Sequence, residues 1–171
     1  MKIVRNERPE DIAAIHDIHK QAFNSLAEAD LVDMLRANGK ASISLVAVDD
    51  DDRILGHILF SPVTIEPAQR AISALGLAPM AVLPEFQRQG IGSLLVSRGL
   101  EECRKAGHDC VVVLGHPRYY PRFGFAPASR YGIKSEFDVP DEAFMVLELN
   151  EKALPRREAT AKYQPEFNRW I

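Results

Sequence analysis

The order in which strand-like and helix-like segments alternate is the feature that most constrains the fold of this chain. The run KIV is typical of a short strand, and the apolar residues that follow it have the spacing of an amphipathic helix: Ile12, Ile15, Ile18, Ala22 and Phe23. A second helical segment covers residues 28–37. The strand-like runs ISLVAV and ILGHILFSPVTI flank four aspartates at residues 49–52, which predicts a β-hairpin with a polar turn.

The second half of the chain continues this alternation. The strand-like run ISALGLAPMAV leads into QRQGIG, and a helix with one polar face follows. CVVVLG predicts a buried strand, HPRYYPRFGF a short aromatic turn or helix, and FMVLEL a late strand before a polar tail from about residue 150. This order suits an α/β chain whose mixed sheet carries helices on its faces.

Composition narrows the class of protein. With 171 residues, 46% of them hydrophobic, the chain can bury a sizeable core, and we expect one domain over residues 1–171. The net charge of −3 provides no basic field, which argues against a nucleic-acid partner. Two cysteines are too few to cross-link such a chain, the N-terminus is too charged for a signal peptide, and no apolar run approaches the roughly 20 residues of a membrane span. We therefore expect a cytoplasmic protein with no membrane partner.

The segment QRQGIG, residues 87–92, stands where a strand gives way to a helix. Helices usually begin with a Ser, Thr, Asp or Asn cap, and this one has none, so its first N–H groups can meet an anion. Gly90 and Gly92 remove the Cβ atoms that would hold a phosphate away, and Arg88 adds a positive charge. The segment predicts an anion-binding loop, with close packing at a helix start as the alternative.

Two better-known phosphate motifs do not fit this loop. A dinucleotide fingerprint needs a third glycine, where the chain has Leu95, and an acidic residue after the following strand, where CVVVLG ends without one. A P-loop needs Gly-Lys-Ser/Thr, but Gly39 and Lys40 are followed by Ala41. Neither class of nucleotide-binding loop is therefore predicted.

Several separated segments together point to a family. The span GLAPMAVLPEFQRQGIGSLLV, followed by YYPRFGF, resembles the GNAT superfamily of acyl-CoA-dependent N-acetyltransferases, whose Q/R-x-x-G-x-G/A signature follows a fourth strand. The opening IVRNERPEDIAAIHDIHKQAF is similar to the family's first strand and helix, and the LAVLP-like and GHPRYYPRFGF segments are similar to its YhbS-like branch. The resemblance covers roughly residues 2–149. It implies a mixed, mostly antiparallel sheet that splays between the fourth and fifth strands and is flanked by helices.

The resemblance also implies acetyl-CoA as the cofactor and assigns residues to it. The Gln87 side chain would lie beside the pyrophosphate. The pyrophosphate would accept hydrogen bonds from the backbone N–H groups of six loop residues: Arg88, Gln89, Gly90, Ile91, Gly92 and Ser93. The pantetheine arm would pair with the backbone of Met80, Ala81 and Val82, which could otherwise form an ordinary core strand. Val113 stands near a position where many relatives place an Asn that contacts the pantetheine, so this contact is not expected here.

The chemistry needs a proton donor for the thiolate and a group that takes the amine proton. Tyr120 lies at the tyrosine of the family's F-Y-x-K-x-G-F pattern and is the predicted general acid, because a phenol is protonated at neutral pH. Tyr119 is assigned to packing or to the substrate wall. Residues 75–78 lack the carboxylate that many relatives carry on the fourth strand, so the candidate bases lie elsewhere: Glu28, Asp30 and His116.

These features favour an acetyltransferase that acts directly on a primary amine, since neither cysteine falls within the predicted site. The acceptor would be a small molecule or a peptide, and a homodimer is compatible with this function. The alternative is a non-catalytic acyl-CoA-binding sensor. The spacing of the cysteines and of His108 and His116 matches no common zinc module, so we expect no metal. His16 and His19 are expected on the helix surface. His57 is expected to be a satisfied strand residue, with a position that faces the acceptor cleft as the alternative.

Overall fold

The computed structural model describes residues 2–67, 71–151, 153–154 and 156–170. The helices are α1 (Ile12–Phe23), α2 (Ala27–Ala37) and α3 (Ile91–Lys105). The strands are β1 (Ile3–Asn6), β2 (Ile43–Val48), β3 (Ile54–Glu66), β4 (Ala74–Val82), β5 (Cys110–Leu114), β6 (Ala126–Pro127), β7 (Ile133–Ser135), β8 (Phe144–Glu148) and β9 (Ala159–Lys162). Short 3-10 turns join them, including Tyr120–Phe123 and Pro165–Arg169.

The strands form a mixed and mostly antiparallel sheet. Its main path runs β1-β2-β3-β4-β5-β8-β6, and β9 pairs with β3 and with β7. Only the β4–β5 and β7–β9 pairs are parallel among the strand pairs described. The fold class predicted from the sequence is therefore confirmed.

The sheet opens between β4 and β5. The parallel register of these strands ends at the pair Gly76 and Val112, whereas β4 continues to Val82. A register shift against β3, between Ile58 and Phe60, places one extra residue in β4 at the same level. The second half of β4 thus diverges from β5 and presents a backbone edge to the gap, as the sequence predicts.

The two faces of the sheet carry different layers, because successive strand residues point to opposite sides. One apolar cluster packs under α1, α2 and the C-terminal segment, and it includes Leu59 of β3. The other cluster packs under α3 and includes Phe60, the next residue of the same strand. The gap between β4 and β5 lies between these two faces.

The predicted hairpin is confirmed, and so are the first two helices. β2 and β3 pair in antiparallel register, and the Asp49 carboxylate closes their turn by accepting the N–H groups of Asp51 and Arg53, each at 2.9 Å. The helix predicted over residues 28–37 is α2, which begins at Ala27. Within the described part of the chain, each helix is too short or too polar to cross a bilayer.

The polar tail predicted from about residue 150 is wrong for the residues that the structure describes. β9 adds to the sheet beside β3 and β7, and Phe167 is completely buried. The strand was missed because Ala159 and Ala161, its two buried residues, give only a weak apolar signal. Residues 152, 155 and 171 of the predicted tail lie outside the described residues.

Candidate active site

Helix α3 begins without a side-chain cap beside the gap. Its N-cap is Gly90, with φ of 83°, a left-handed conformation that favours glycine. The first i→i−4 bond runs from the Leu94 N–H to the Gly90 carbonyl at 3.0 Å, so the N–H groups of Ile91, Gly92 and Ser93 precede the helical ladder. A Cβ at Gly90 would meet no atom within 4 Å, so close packing does not explain this glycine.

A cavity of about 430 Å³ lies in front of this helix start. Its lining includes Val82, Phe86, Gln87, Arg88, Gly90, Ile91, Gly92, Ser93, Tyr119 and Arg122. Most of the predicted cofactor residues are therefore brought together. Met80 reaches the same place, since its Cε lies 3.6 Å from an ideal Cβ at Gly92.

Besides Met80, two of the predicted cofactor residues do not line the cavity. The Ala81 side chain is buried with the cluster on the opposite face of β4. Gln89 is exposed, and its Nε2 donates to the Glu85 carbonyl at 3.5 Å. For these two residues, only the backbone can serve the predicted roles.

Tyr119 and Arg122 belong to the cavity wall and were not predicted there. The Tyr119 hydroxyl lies 2.9 Å from Ser93 Oγ, so it is tied to the helix start. The Arg122 guanidinium stacks 4.4 Å from the centre of the Tyr119 ring and donates to the Tyr119 carbonyl at 2.9 Å. Arg122 is a second cation beside Arg88. The family pattern F-Y-x-K-x-G-F contains this signal, because Arg122 stands at its lysine.

Tyr120 opens the 3-10 turn after β5 and has a buried ring. The ring makes edge contacts with Tyr119 and Phe125, at centroid distances of 5.1 and 5.7 Å. A Cβ at Gly115 would overlap this ring, so glycine at the end of β5 lets it pack there. Burial, and secondarily Tyr119, raise the pKa of Tyr120 to about 12. Its phenol is therefore neutral and can donate a proton.

Tyr163 approaches the gap from the other face of the sheet. Its ring lies over Gly76, where an ideal Cβ would come within 2.8 Å of it. Burial, and secondarily Glu136 and Tyr120, raise the pKa of Tyr163 above its ordinary value. The Tyr163 hydroxyl is buried and has no hydrogen-bond partner among the residues described. The sequence offered no signal for it, because Tyr163 falls in the predicted tail.

Of the three predicted bases, Glu28 and His116 have different surroundings. Glu28, in the first turn of α2, is 9% exposed, and its Oε2 accepts the Trp170 indole N–H at 3.0 Å. Its Oε1 is buried without a partner in the described ranges. His116 is exposed after β5, and its Nδ1 accepts the Arg118 N–H at 3.1 Å.

Asp30 lies at a second, acidic cavity. This cavity has a volume of about 400 Å³ and lies between α2 and the C-terminal turn, beside Asp33, Glu166 and Trp170. His16 Nδ1 lies 2.7 Å from Asp33 Oδ2, and one ring nitrogen of His16 and one carboxylate oxygen each of Asp30 and Asp33 lie within 4.8 Å of one another. These groups are partly or fully exposed, and an acidic cluster of this kind does not by itself indicate a metal.

The expectation that His19 lies on the surface is wrong. His19 and His57 are completely buried, and His19 Nε2 lies 2.8 Å from His57 Nδ1. His57 Nε2 lies 2.7 Å from Ser44 Oγ, and Ser44 bonds in turn to Glu7. The periodicity contained the signal for His19, because this residue falls on the same helical face as Ile15. We call Glu7, Ser44, His57 and His19 the histidine chain.

Burial keeps both imidazoles of the histidine chain neutral. Burial, with His57, Arg36 and His16 nearby, lowers the pKa of His19 to about 2. Burial also lowers the pKa of His57, although Glu7 opposes this effect. For Glu7, burial alone would raise the pKa, but hydrogen bonds from His57, Arg36 and Ser44 bring it far below its usual range. The chain thus has an anion at one end and two neutral rings.

The sheet opens beside α3, a helix that begins at a glycine and has no side-chain cap. The sequence resemblance leads us to expect this arrangement in an acyltransferase. A profile of the Acetyltransferase (GNAT) domain family matches residues 3–128. The chain belongs to this family and is an acetyltransferase.

Individual relatives agree with this assignment. The uncharacterized N-acetyltransferase YhbS of Escherichia coli (strain K12) is 34% identical over 168 residues, which cover 98% of this chain and 99% of YhbS. The crystal structure of E. coli YhbS in complex with CoA matches with a TM-score of 0.93, over 99% of this chain and 93% of that one. A GNAT family acetyltransferase from Brucella melitensis in complex with acetyl-CoA matches with a TM-score of 0.80 and 35% identity, over 98% of each chain. The likeness to YhbS confirms the predicted branch, and both structures hold the predicted cofactor or its CoA part.

Proposed function

We propose that this chain, as a single cytoplasmic domain, transfers the acetyl group of acetyl-CoA directly to a primary amine of a small molecule or peptide. The observation that carries the proposal is the cavity in front of α3, where uncapped N–H groups and two arginines meet the free edge of β4. The thiols of Cys103 and Cys110 are buried, and burial raises the pKa of each to about 12. Neither thiol is therefore suited to carry the acetyl group. A homodimer is the assembly state to test by light scattering.

The residues present fit the cofactor. The N–H groups of Ile91, Gly92 and Ser93 would bind the pyrophosphate, because a helix N-terminus carries a partial positive charge. Arg88 and Arg122 would add charge-assisted hydrogen bonds. The backbone of residues 80–82 would bind the pantetheine arm as a strand binds to a sheet edge. When bound, acetyl-CoA supplies the activated acyl group.

Tyr120 is proposed as the general acid. Its ring is held in place by the contact with Phe125 and by close packing against Gly115, where a Cβ would overlap it. Its pKa is raised to about 12, so the phenol is protonated at neutral pH and can donate a hydrogen bond and a proton to the departing thiolate.

Glu28 is proposed to bind the ammonium form of the acceptor. Its Oε1 is buried without a partner among the described residues, and a cation would supply the missing contact. His116 is the second predicted proton acceptor, but its exposure and its bond to Arg118 make it the weaker one. If either residue takes the amine proton, its alanine variant should bind CoA normally and lose turnover most at low pH. A loss that is constant with pH and confined to KM would instead assign the residue to acceptor binding.

Release of free CoA thiol from acetyl-CoA, measured against a panel of primary amines, tests the function. We expect thiol release that depends on the amine, and an acetylated product with a mass increase of one acetyl group. Calorimetry with CoA, and mass spectrometry of ligands that co-purify, are run in parallel. Tight CoA binding without thiol release for any amine would overturn the enzyme proposal in favour of the acyl-CoA sensor.

A further inference from the structure

Helix α1 crosses the sheet along one row of residues. The strand registers place four residues side by side, one on each of the strands β1 to β4: Arg5, Val46, His57 and Ala81. Asp11, just before α1, bonds to Arg5 at 2.7 Å, and His19 Nε2 lies 2.8 Å from His57 Nδ1. The helix therefore starts over β1 and reaches β3 at His19.

The next turn of α1 reaches the free edge of β4. From His19 to Phe23 the helix rises about 6 Å, slightly more than the spacing of about 5 Å between neighbouring strands. The strand beyond His57 is β4 at Ala81, and α1 packs against β4. The pairing of β4 with β5 has already ended at Gly76. The end of α1 therefore lies over the gap, on the face of β4 opposite the cavity in front of α3.

Two apolar side chains are exposed at this end of α1. Phe23 is the last residue of the helix and is 41% exposed, and Leu26, the N-cap of α2, is 51% exposed. We call Phe23 and Leu26 the apolar overhang. Phe23 continues the four-residue spacing of Ile15 and His19, which are both completely buried. Phe23 is not buried like them because the described part of the sheet has no strand beyond β4 at this level.

The charges beside the apolar overhang suit a ligand with one ammonium group. Glu28 follows Leu26 by two residues, and its Oε1 is buried without a hydrogen-bond partner in the described ranges. A small cavity of about 290 Å³ borders Leu26 on the solvent side, and Lys20 lines it. The Lys20 ammonium would repel a second cation on the same ligand. The surroundings therefore offer one carboxylate for an amine and apolar contacts for the group that the amine carries.

Resting on the proposed function, we propose that the apolar overhang selects the acceptor: a primary amine with a single positive charge and an aromatic or branched aliphatic substituent. The cofactor would fill the cavity on the α3 face, so the acceptor is left to approach the edge of β4 from the α1 face. There its ammonium group meets Glu28, and its apolar substituent packs against Phe23 and Leu26. These two side chains determine specificity and exchange no proton with the substrate.

Pairs of amines with an apolar and a polar substituent test this inference. Phenethylamine is compared with ethanolamine, and L-phenylalaninamide with L-serinamide. In wild type, kcat/KM should be roughly tenfold or more higher for the apolar member of each pair, which is the usual discrimination of a small apolar contact. Cadaverine, which carries a second ammonium group in place of an apolar substituent, should be no better than ethanolamine.

Three serine variants locate the selectivity. Phe23→Ser and Leu26→Ser should each lower the ratio of the two kcat/KM values by roughly three- to tenfold, because each removes part of the apolar contact. Serine is a preferred N-cap, so Leu26→Ser should fold even if Phe23→Ser does not. Ile12→Ser is the matched control, since Ile12 is 37% exposed in the first turn of α1, at the far end from the gap. It should keep the wild-type ratio.

The outcomes separate this inference from the proposed function. If wild type acetylates both members of each pair equally well, the acceptor class is wrong and the acetyltransferase proposal stands. If wild type prefers the apolar amines but Leu26→Ser and every folded Phe23→Ser preparation keep the wild-type ratio, the apolar overhang does not select the acceptor. If wild type releases no thiol with any amine, the proposed function fails and this inference fails with it.

Discussion

The Tyr120 hydroxyl can be removed with little effect on packing, because its ring keeps the contacts with Tyr119 and Phe125. We expect Tyr120→Phe to retain the fold and the CoA affinity while kcat and kcat/KM fall together. General acids typically contribute 10²- to 10⁴-fold, and the loss should lie near that range if thiolate departure limits the rate. Steady-state kinetics with a good acceptor and CoA calorimetry measure both quantities. A wild-type kcat, with chemistry shown to be rate-limiting, would return Tyr120 to a packing role.

Tyr119→Phe should instead weaken CoA binding and leave kcat unchanged. Its hydroxyl bonds to Ser93 Oγ at 2.9 Å in the wall of the cavity in front of α3, not at the gap. Removing it should weaken CoA binding by about 1 kcal/mol, the usual value of one hydrogen bond, and leave kcat unchanged. Calorimetry and saturation kinetics on the two phenylalanine variants should therefore separate binding from chemistry. A Tyr119→Phe variant with reduced kcat and unchanged CoA affinity would contradict this assignment.

At the scale of one element, the start of α3 depends on glycine at position 90 for its conformation. Gly90→Val should abolish CoA binding, because valine resists φ of 83° and its side chain would enter the open space in front of the helix. Arg88→Ala should weaken binding by only about 1 to 2 kcal/mol, since it removes one exposed charge-assisted contact. Calorimetric titration of CoA measures both effects. A folded Gly90→Val protein with unchanged affinity would remove the helix start from the cofactor site.

The elements that could be predicted from the sequence are those with a strong local pattern. The hairpin around Asp49 and the uncapped start of α3 follow from spacing and composition alone. β9 could not be predicted, because alanines carry little apolar signal and are buried only when the strand packs between β3 and β7. The path from His19 to Glu7 joins positions far apart in sequence, so no local pattern contains it. The part of the site formed by the single loop at residues 87–92 could be predicted. The contacts between α1, β2 and β3 could not.

At the scale of the whole molecule, the buried imidazoles should make stability depend on pH. Their pKa values are lowered on folding, so the unfolded chain binds more protons and stability falls as pH drops below about 6.5. The slope should approach about 1.4 kcal/mol per pH unit for each imidazole. Glu7, also with a lowered pKa, adds a further loss only below its unfolded value near pH 4. Urea unfolding of wild type and His57→Gln between pH 7 and 5 measures how the free energy of unfolding changes with pH. If it changes equally with pH in both proteins, His57 is not held neutral.

The C-terminal segment ties α2 to the sheet, and Phe167 is its anchor. Phe167 is completely buried and contacts Tyr163 and Trp170, at centroid distances of 5.1 and 5.6 Å, and Trp170 in turn bonds to Glu28. Phe167→Ala should lower the free energy of unfolding by about 3 to 5 kcal/mol, as expected for a large cavity in a core. It should also impair turnover more than CoA binding, because the cavity in front of α3 lies on the other face.

Arg157→Ala is the matched control for this prediction, since Arg157 is exposed in the same segment. It should change the unfolding free energy by no more than about 0.5 kcal/mol. Urea unfolding and CoA calorimetry on both variants decide the matter. If Phe167→Ala loses less than about 1 kcal/mol, the segment contributes as little to stability as a polar tail would.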